Sequence, residues 1–267
     1  MKQRKKKFRL CMLLIAILIQ LLSVSAFAKD IHISVDGKLY DGSAYIQRGT
    51  TYVPLRHFLA HLGGTVDWNP TAKSAHARLK DDILIAAPAA QRLTVNDISI
   101  ETSLLVQQER IYIPLRTLAV LLGYNVSWNQ ASYSIAIHST ENHVSWSEKD
   151  LYWLSRIISA EARGETLTGQ IAVGNVVLNR VASPEYPNNI YDVIFDRKDA
   201  VQFEPTANGT IYDAPTDTAI QAAKLALQGV NIVENCLFFF NPSLSQGSWI
   251  VNNRTYYKTI GCHQFYL

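Results

Sequence analysis

The feature that most constrains how this chain can fold is an internal repeat. Tyr52-Val-Pro-Leu-Arg56 recurs at an offset of 60 residues as Tyr112-Ile-Pro-Leu-Arg116. Leu62-Gly63 recurs as Leu122-Gly123, and Val66, Trp68 and Asn69 recur as Val126, Trp128 and Asn129. Upstream, Val35-Asp36 matches Val95-Asn96. So many identities at one fixed spacing make residues 29–139 two copies of one unit. Each copy reads as short strands, then a helix, then a hairpin. Pro54 and Pro114 suit the first turn of a helix. Leu55, Phe58, Leu59 and Leu62 then follow at helical spacing, and Gly63 sits where a C-terminal cap belongs. Asp67-Trp-Asn-Pro70 is turn chemistry leading into a further strand. His57 and His61 stand at a spacing that can hold a metal, but the second copy has Thr117 and Leu121 there. Exposed helix residues are the better account, and no metal is expected.

The charge is unevenly spread. The chain has 25 Lys and Arg against 22 Asp and Glu, a net +3. Lys2, Arg4, Lys5, Lys6, Lys7 and Arg9 supply six positive charges before residue 29, with no acid among them. Removing those six leaves 19 basic against 22 acidic residues, a balance of −3. A body of that charge has no broad footprint for nucleic acid. The apolar run Leu10–Leu22 follows, and Ala26 and Ala28 give the small-x-small pattern of a signal-peptidase site with Lys29 as first mature residue. Residues 1–28 therefore read as an export signal. The alternative, an uncleaved membrane anchor, suffers from a short apolar run without a second charged flank. Once the signal is cleaved, no membrane attachment is expected. Of the three cysteines, Cys11 leaves with the signal. Cys236 and Cys262 remain, either bridged, which export would permit, or as two free thiols.

Residues 140–147 read as a linker that closes on a helix start, with Ser147 as N-cap, Asp150 three residues on and Trp146 as a packing staple. From Glu148 the apolar rows Leu151, Leu154, Ile158 and Trp153, Ile157 define a helix, and Glu161 continues the second row. The pattern fails at Gly164, so Glu161 lies near the helix end on the side that faces protein. A carboxylate there is desolvated, which raises its pKa and suits a general acid working near neutral pH. The competing account is an acid neutralised by Arg163 or Arg156. One such carboxylate does not make a glycosidase of the usual two-carboxylate kind.

Two resemblances then add to these residues. The Tyr-Val-Pro-Leu-Arg, Leu-Gly-Gly and Val-Asp-Trp-Asn segments of the first half resemble the copper amine oxidase N-terminal module, which implies a spacer or a wall- or partner-binding unit and no copper site. In the second half, Ile157-Ile-Ser-Ala-Glu161-Ala-Arg-Gly-Glu165 and Gly169-Gln-Ile-Ala-Val-Gly-Asn-Val-Val-Leu-Asn-Arg180 resemble the spore cortex-lytic, or cell wall hydrolase, family. Gln202-Phe203, Phe239-Phe-Asn-Pro242, Trp249 and Ile260-Gly-Cys-His263 agree in order, so the likeness spans 148–267.

That resemblance implies an α+β chain: a duplicated β/α module followed by a mostly helical domain of the lysozyme superfold, related to resuscitation-promoting factors. The substrate implied is the peptidoglycan glycan strand, with no cofactor, and a wall or spore-coat protein is a candidate partner of the repeats. The family's acid falls on Glu161. The expected reaction is lytic transglycosylation between N-acetylmuramic acid and N-acetylglucosamine, in the cell wall or in spore cortex during germination. Muramidase-type hydrolysis is the alternative, with Glu165, Glu204 and Asp213 as nominees for a second acid. A non-catalytic wall-binding or spore-coat protein is the other. Glu165, Gln202, Phe203, Asn241, Trp249 and His263 are the expected substrate-binding residues. For Gln202 and Phe203 packing is as good an account, for Asn241 holding a turn, for Trp249 a half-buried position and for His263 structural hydrogen bonding.

Overall fold

A computed structural model describes residues 31–139, 146–198 and 201–267. Residues 1–28, expected from sequence to be an export signal, and most of the expected 140–147 linker lie outside these residues. The chain is a mixed α+β protein, with a β-rich N-terminal region and a helical C-terminal one.

In the first copy, β1 (His32–Val35), β2 (Lys38–Leu39), β3 (Tyr45–Gln47) and β4 (Thr50–Pro54) lead into α1 (Leu55–His61) and the hairpin β5 (Thr65–Asn69), β6 (Ser74–Leu79). Strand β7 (Asp82–Ala87) precedes the second copy: β8 (Arg92–Val95), β9 (Ile98–Glu101), β10 (Leu105–Gln107), β11 (Arg110–Pro114), α2 (Leu115–Leu121), β12 (Tyr124–Asn129) and β13 (Ser134–Ser139). Pro54 and Pro114 sit at the N-cap positions, one residue earlier than the first turn. After α1, Gly63 takes φ +86°, a left-handed conformation that favours glycine, and its N–H donates to the Ala60 carbonyl at 3.0 Å.

The copies are interlocked. Strands β4 and β11 pair antiparallel around Val53 opposite Ile113, two equivalent and fully buried positions, so a pseudo-twofold axis passes between them. Strand β1 of the first copy runs parallel to β13 of the second, with Val35 opposite Ile137. Strands β8 and β9 of the second copy complete the sheet β5-β6-β7-β8-β9 begun by the first. Each hairpin thus carries the other copy's opening strands, and neither copy buries its apolar faces alone.

In the C-terminal region, Ser147 and Asp150 form a reciprocal capping box that starts α3 (Glu148–Ala162). Helix α4 (Leu167–Ala182) begins at the Thr166 cap and is buried on nearly every side. Short α5 (Ile190–Ile194) and α6 (Pro205–Asn208) follow, then α7 (Asp217–Leu227), capped by Thr216. Gly174 lets α3 and α4 approach closely: a Cβ there would come within 2.8 Å of Ile158 Cδ1. A three-stranded sheet, order β14-β16-β15, closes the domain through β14 (Phe238–Phe240), α8 (Ser248–Asn253), β15 (Tyr256–Ile260) and β16 (His263–Tyr266). The Thr168 hydroxyl at the start of α4 accepts the Glu101 N–H at 2.9 Å, joining the repeats to the helices.

Candidate active site

Helix α3 ends with Glu161 half-buried on the wall of a cleft of about 430 Å³. The same cleft is lined by Arg156, Ser159 and Arg163 from α3 and its end, and by Glu204, Asp213 and Leu244 from the loops facing it. A larger cavity, about 1190 Å³, lies in the repeat region. The smaller one is the candidate for chemistry because, among the described residues, it holds the carboxyl raised to about 7.

Burial is the main cause that raises the Glu161 carboxyl from 4.5 to about 7. The neighbouring Glu204 carboxylate pushes in the same direction, and the Arg180 guanidinium opposes both. Neither arginine named from sequence as a neutralising partner fills that role. Arg163 is exposed and reaches the Ala214 carbonyl at 3.5 Å, and Arg156 lies over the Tyr152 ring at 3.6 Å. The cation that acts on Glu161 is Arg180, near the end of α4, buried with its Nε donating to the Leu237 carbonyl at 2.8 Å. The cleft's geometry rests on buried supports: the Ser159 hydroxyl accepts the Thr216 N–H at 3.2 Å, tying α3 to the start of α7.

The other residues singled out in the sequence gather elsewhere. Glu165 and His263 come together behind the cleft, 3.5 Å apart, and both are nearly buried. That distance is too long for a hydrogen bond. Burial lowers the His263 pKa against the opposing pull of Glu165, so the ring is neutral at pH 7. Glu165 accepts the Cys262 N–H at 3.1 Å, which joins the loop after α3 to the β15–β16 turn. Phe203 is 2% exposed, with the Arg180 guanidinium 5.0 Å from its ring centre; it backs Arg180 rather than the cleft. His263 meets Phe239 edge-on at 5.3 Å. Asn241 holds a turn, its side-chain oxygen accepting the Ser243 N–H at 2.9 Å. Trp249 is 57% exposed beside Phe238 and Arg254, and Gln202 is half-buried; neither lines the cleft. Of the nominees for a second acid, Glu204 and Asp213 line the same cleft as Glu161 and Glu165 does not.

Sequence reasoning passed over Arg180. The signal was available: Val173, Val176 and Arg180 form one helical row, and a charge that continues an apolar row needs a buried partner. Both cysteines are free; Cys236 is buried, which pushes its thiol up to about 12, and Cys262 is exposed. His57 lies 3.3 Å from Asp41.

Residues 164–266 match the Cell Wall Hydrolase family, and residues 34–137 and 94–150 match the Copper amine oxidase N-terminal domain. The first match begins just after Glu161. The spore cortex-lytic enzyme of Bacillus subtilis is 38% identical over 120 residues, which cover 45% of this chain and only 38% of that relative. The cell wall hydrolase CwlJ of Oceanobacillus iheyensis is 30% identical over 105 residues, covering 37% of this chain and 73% of the relative. The solved catalytic domain of the germination-specific lytic transglycosylase SleB from Bacillus anthracis is 36% identical, covering 47% of this chain and 100% of that one, with a TM-score of 0.43.

Proposed function

The chain belongs to the cell wall hydrolase family, and from that premise we propose that residues 148–267 form a catalytic domain of the lysozyme superfold that cleaves peptidoglycan glycan strands. The bond cut joins N-acetylmuramic acid to N-acetylglucosamine, and the setting is spore cortex or cell wall after export. The name of the Bacillus subtilis relative supports cortex as the substrate. The observation that carries the reading is Glu161 itself: a half-buried carboxyl on a cleft wall with a pKa of about 7.

Glu161 gives its proton to the glycosidic oxygen as the bond from the anomeric carbon breaks, and the N-acetylglucosamine side leaves as an alcohol. Positive charge develops at the anomeric carbon. The C6 hydroxyl of the same muramic residue attacks that carbon and loses its proton to the ionised Glu161. A 1,6-anhydro sugar forms, Glu161 is restored and no water is consumed. An intramolecular nucleophile of this kind has a high effective concentration, so no second carboxylate is required.

A second outcome is favoured by one specific observation. Glu204 and Asp213 line the same cleft, and either can activate water for muramidase-type hydrolysis. The two outcomes differ in product. We further propose that the repeats hold the enzyme to a wall or spore-coat protein.

Glu161→Gln tests the assignment of the acid. The variant should lose wall lysis by about 10²-fold or more, the scale of a general acid's contribution, while keeping its circular dichroism. Lysis at the normal rate with the fold intact would remove Glu161 from the mechanism.

A further inference from the structure

The two repeat copies are alike in sequence but not in what covers them. On the second copy, the chain's own loop after α7 lies against the helix and its neighbouring hairpin. Gly229 is so close to Arg116 that a Cβ there would come within 2.8 Å of the arginine Cδ. Further along the loop, Glu234 pairs with Arg48 at 3.8 Å. Thr117 and Val120 of α2 are buried, at 3% and 6% exposure. The loop itself is rigidly held: the Asn175 side chain donates to the Val230 carbonyl at 2.8 Å and accepts the Ile232 N–H at 2.9 Å.

At the offset of 60, Arg56 corresponds to Arg116, Gln108 to Arg48, His57 to Thr117 and Ala60 to Val120. Arg56, His57 and Ala60 of the first copy, with Gln108 from the β10–β11 turn of the second, line the open cavity of about 1190 Å³, and His57 and Ala60 are exposed. Trp68, half exposed at 50%, stands on its wall. Lys73 and Arg110 join Arg56 there against Asp67 and Glu109, leaving a positive balance. The pseudo-twofold therefore offers one surface twice: once covered by a polypeptide loop, once uncovered.

We propose that the open groove beside α1 docks a loop of a partner protein, a turn-forming, glycine-containing segment with an acidic side chain, chemically like Gly229–Glu234. The glycine matters because Gly229 takes a left-handed φ of +88° against Arg116, the counterpart of Arg56. The acid matters because the groove's cations outnumber its anions, as Arg48 from the β3–β4 turn faces Glu234 at the covered surface. An exposed tryptophan contributes large apolar contact area at such a centre. This rests on the view that the repeats engage a partner protein, and it is independent of the cleavage chemistry.

The probe is a synthetic peptide of residues 226–235, titrated by fluorescence anisotropy into the intact chain. Saturable binding is expected. Arg56→Glu should weaken it about tenfold or more, as for a central interface residue. Gln108→Arg, which supplies the cation that Arg48 provides at the covered surface, should tighten it about two- to fivefold, the worth of an exposed ion pair. That gain should vanish for a peptide carrying Gln at its glutamate. A gain cannot arise from misfolding. Absence of saturation at millimolar peptide, or binding indifferent to both substitutions, would overturn the proposal. So would binding of soluble peptidoglycan fragments that Trp68→Ala abolishes, which would make the groove a glycan site. Both variants should cleave glycan at the unsubstituted rate, so failed docking and failed catalysis are separable.

Discussion

An acid held protonated by its surroundings costs stability wherever the unfolded chain would ionise it, and Glu161 makes this measurable. In the unfolded chain its carboxyl titrates near 4.5; in the fold it titrates at about 7. Between those values the folded state binds the extra proton, so stability falls as pH rises through the window and levels off above it. The shift corresponds to about 3 kcal/mol lost once the group is ionised in both states, at 1.36 kcal/mol per pH unit. Glu161→Gln removes the titration while keeping shape and hydrogen-bonding capacity. Urea unfolding of the variant and the unsubstituted chain should therefore coincide near pH 4. By pH 8.5 the variant should be the more stable by about 3 kcal/mol, with the difference opening between pH 4.5 and 7. A stability difference that is flat with pH would refute the account of a desolvated carboxyl, whatever the effect on lysis. The gain in stability should accompany loss of activity, since the strained group is also the proposed acid.

Three other outcomes follow from single contacts. Glu204→Gln removes the carboxylate that helps raise Glu161, so the alkaline limb of the pH–rate profile should move to lower pH. Gly261 has φ +55°, and a Cβ there would collide with the Glu165 carboxylate. Gly261→Ala should accordingly destabilise the chain by about 1–3 kcal/mol, read by thermal unfolding. Asn175→Ala leaves the Val230 carbonyl and Ile232 N–H without their partner, which should cost about 2–3 kcal/mol and loosen the loop laid against the second repeat, read as faster hydrogen exchange at Ile232.

The parts of this fold that were legible in the sequence are those set by neighbours along the chain. Ser147 and Asp150 announce a helix start because a capping box is complete within four residues. Glu161 could be placed facing protein from the spacing of Trp153 and Ile157, and near a helix end from the break at Gly164. The repeat was equally plain, but its consequence was not. Pairing of β4 with β11 around Val53 and Ile113 joins strands 60 residues apart, and nothing local distinguishes interlocked copies from independent ones. The β15–β16 hairpin carried a local sign that went unread: Gly261-Cys262 is a two-residue turn between Ile260 and His263. Glu165 and Phe203 show the opposite limit. Both sit in motifs with the chemistry of a groove, yet their places behind the cleft depend on the late-arriving strands β14–β16, which bring His263 and Phe239 against them.

The central claim is that Glu161 drives cleavage of the glycan strand without water, and product mass spectrometry tests it most directly. Spore cortex and vegetative sacculi digested side by side with the purified protein should yield fragments ending in 1,6-anhydromuramic acid, and Glu161→Gln should yield none. Fragments ending in reducing muramic acid, heavier by one water, would contradict the mechanism and assign the second role to another acid lining the cleft.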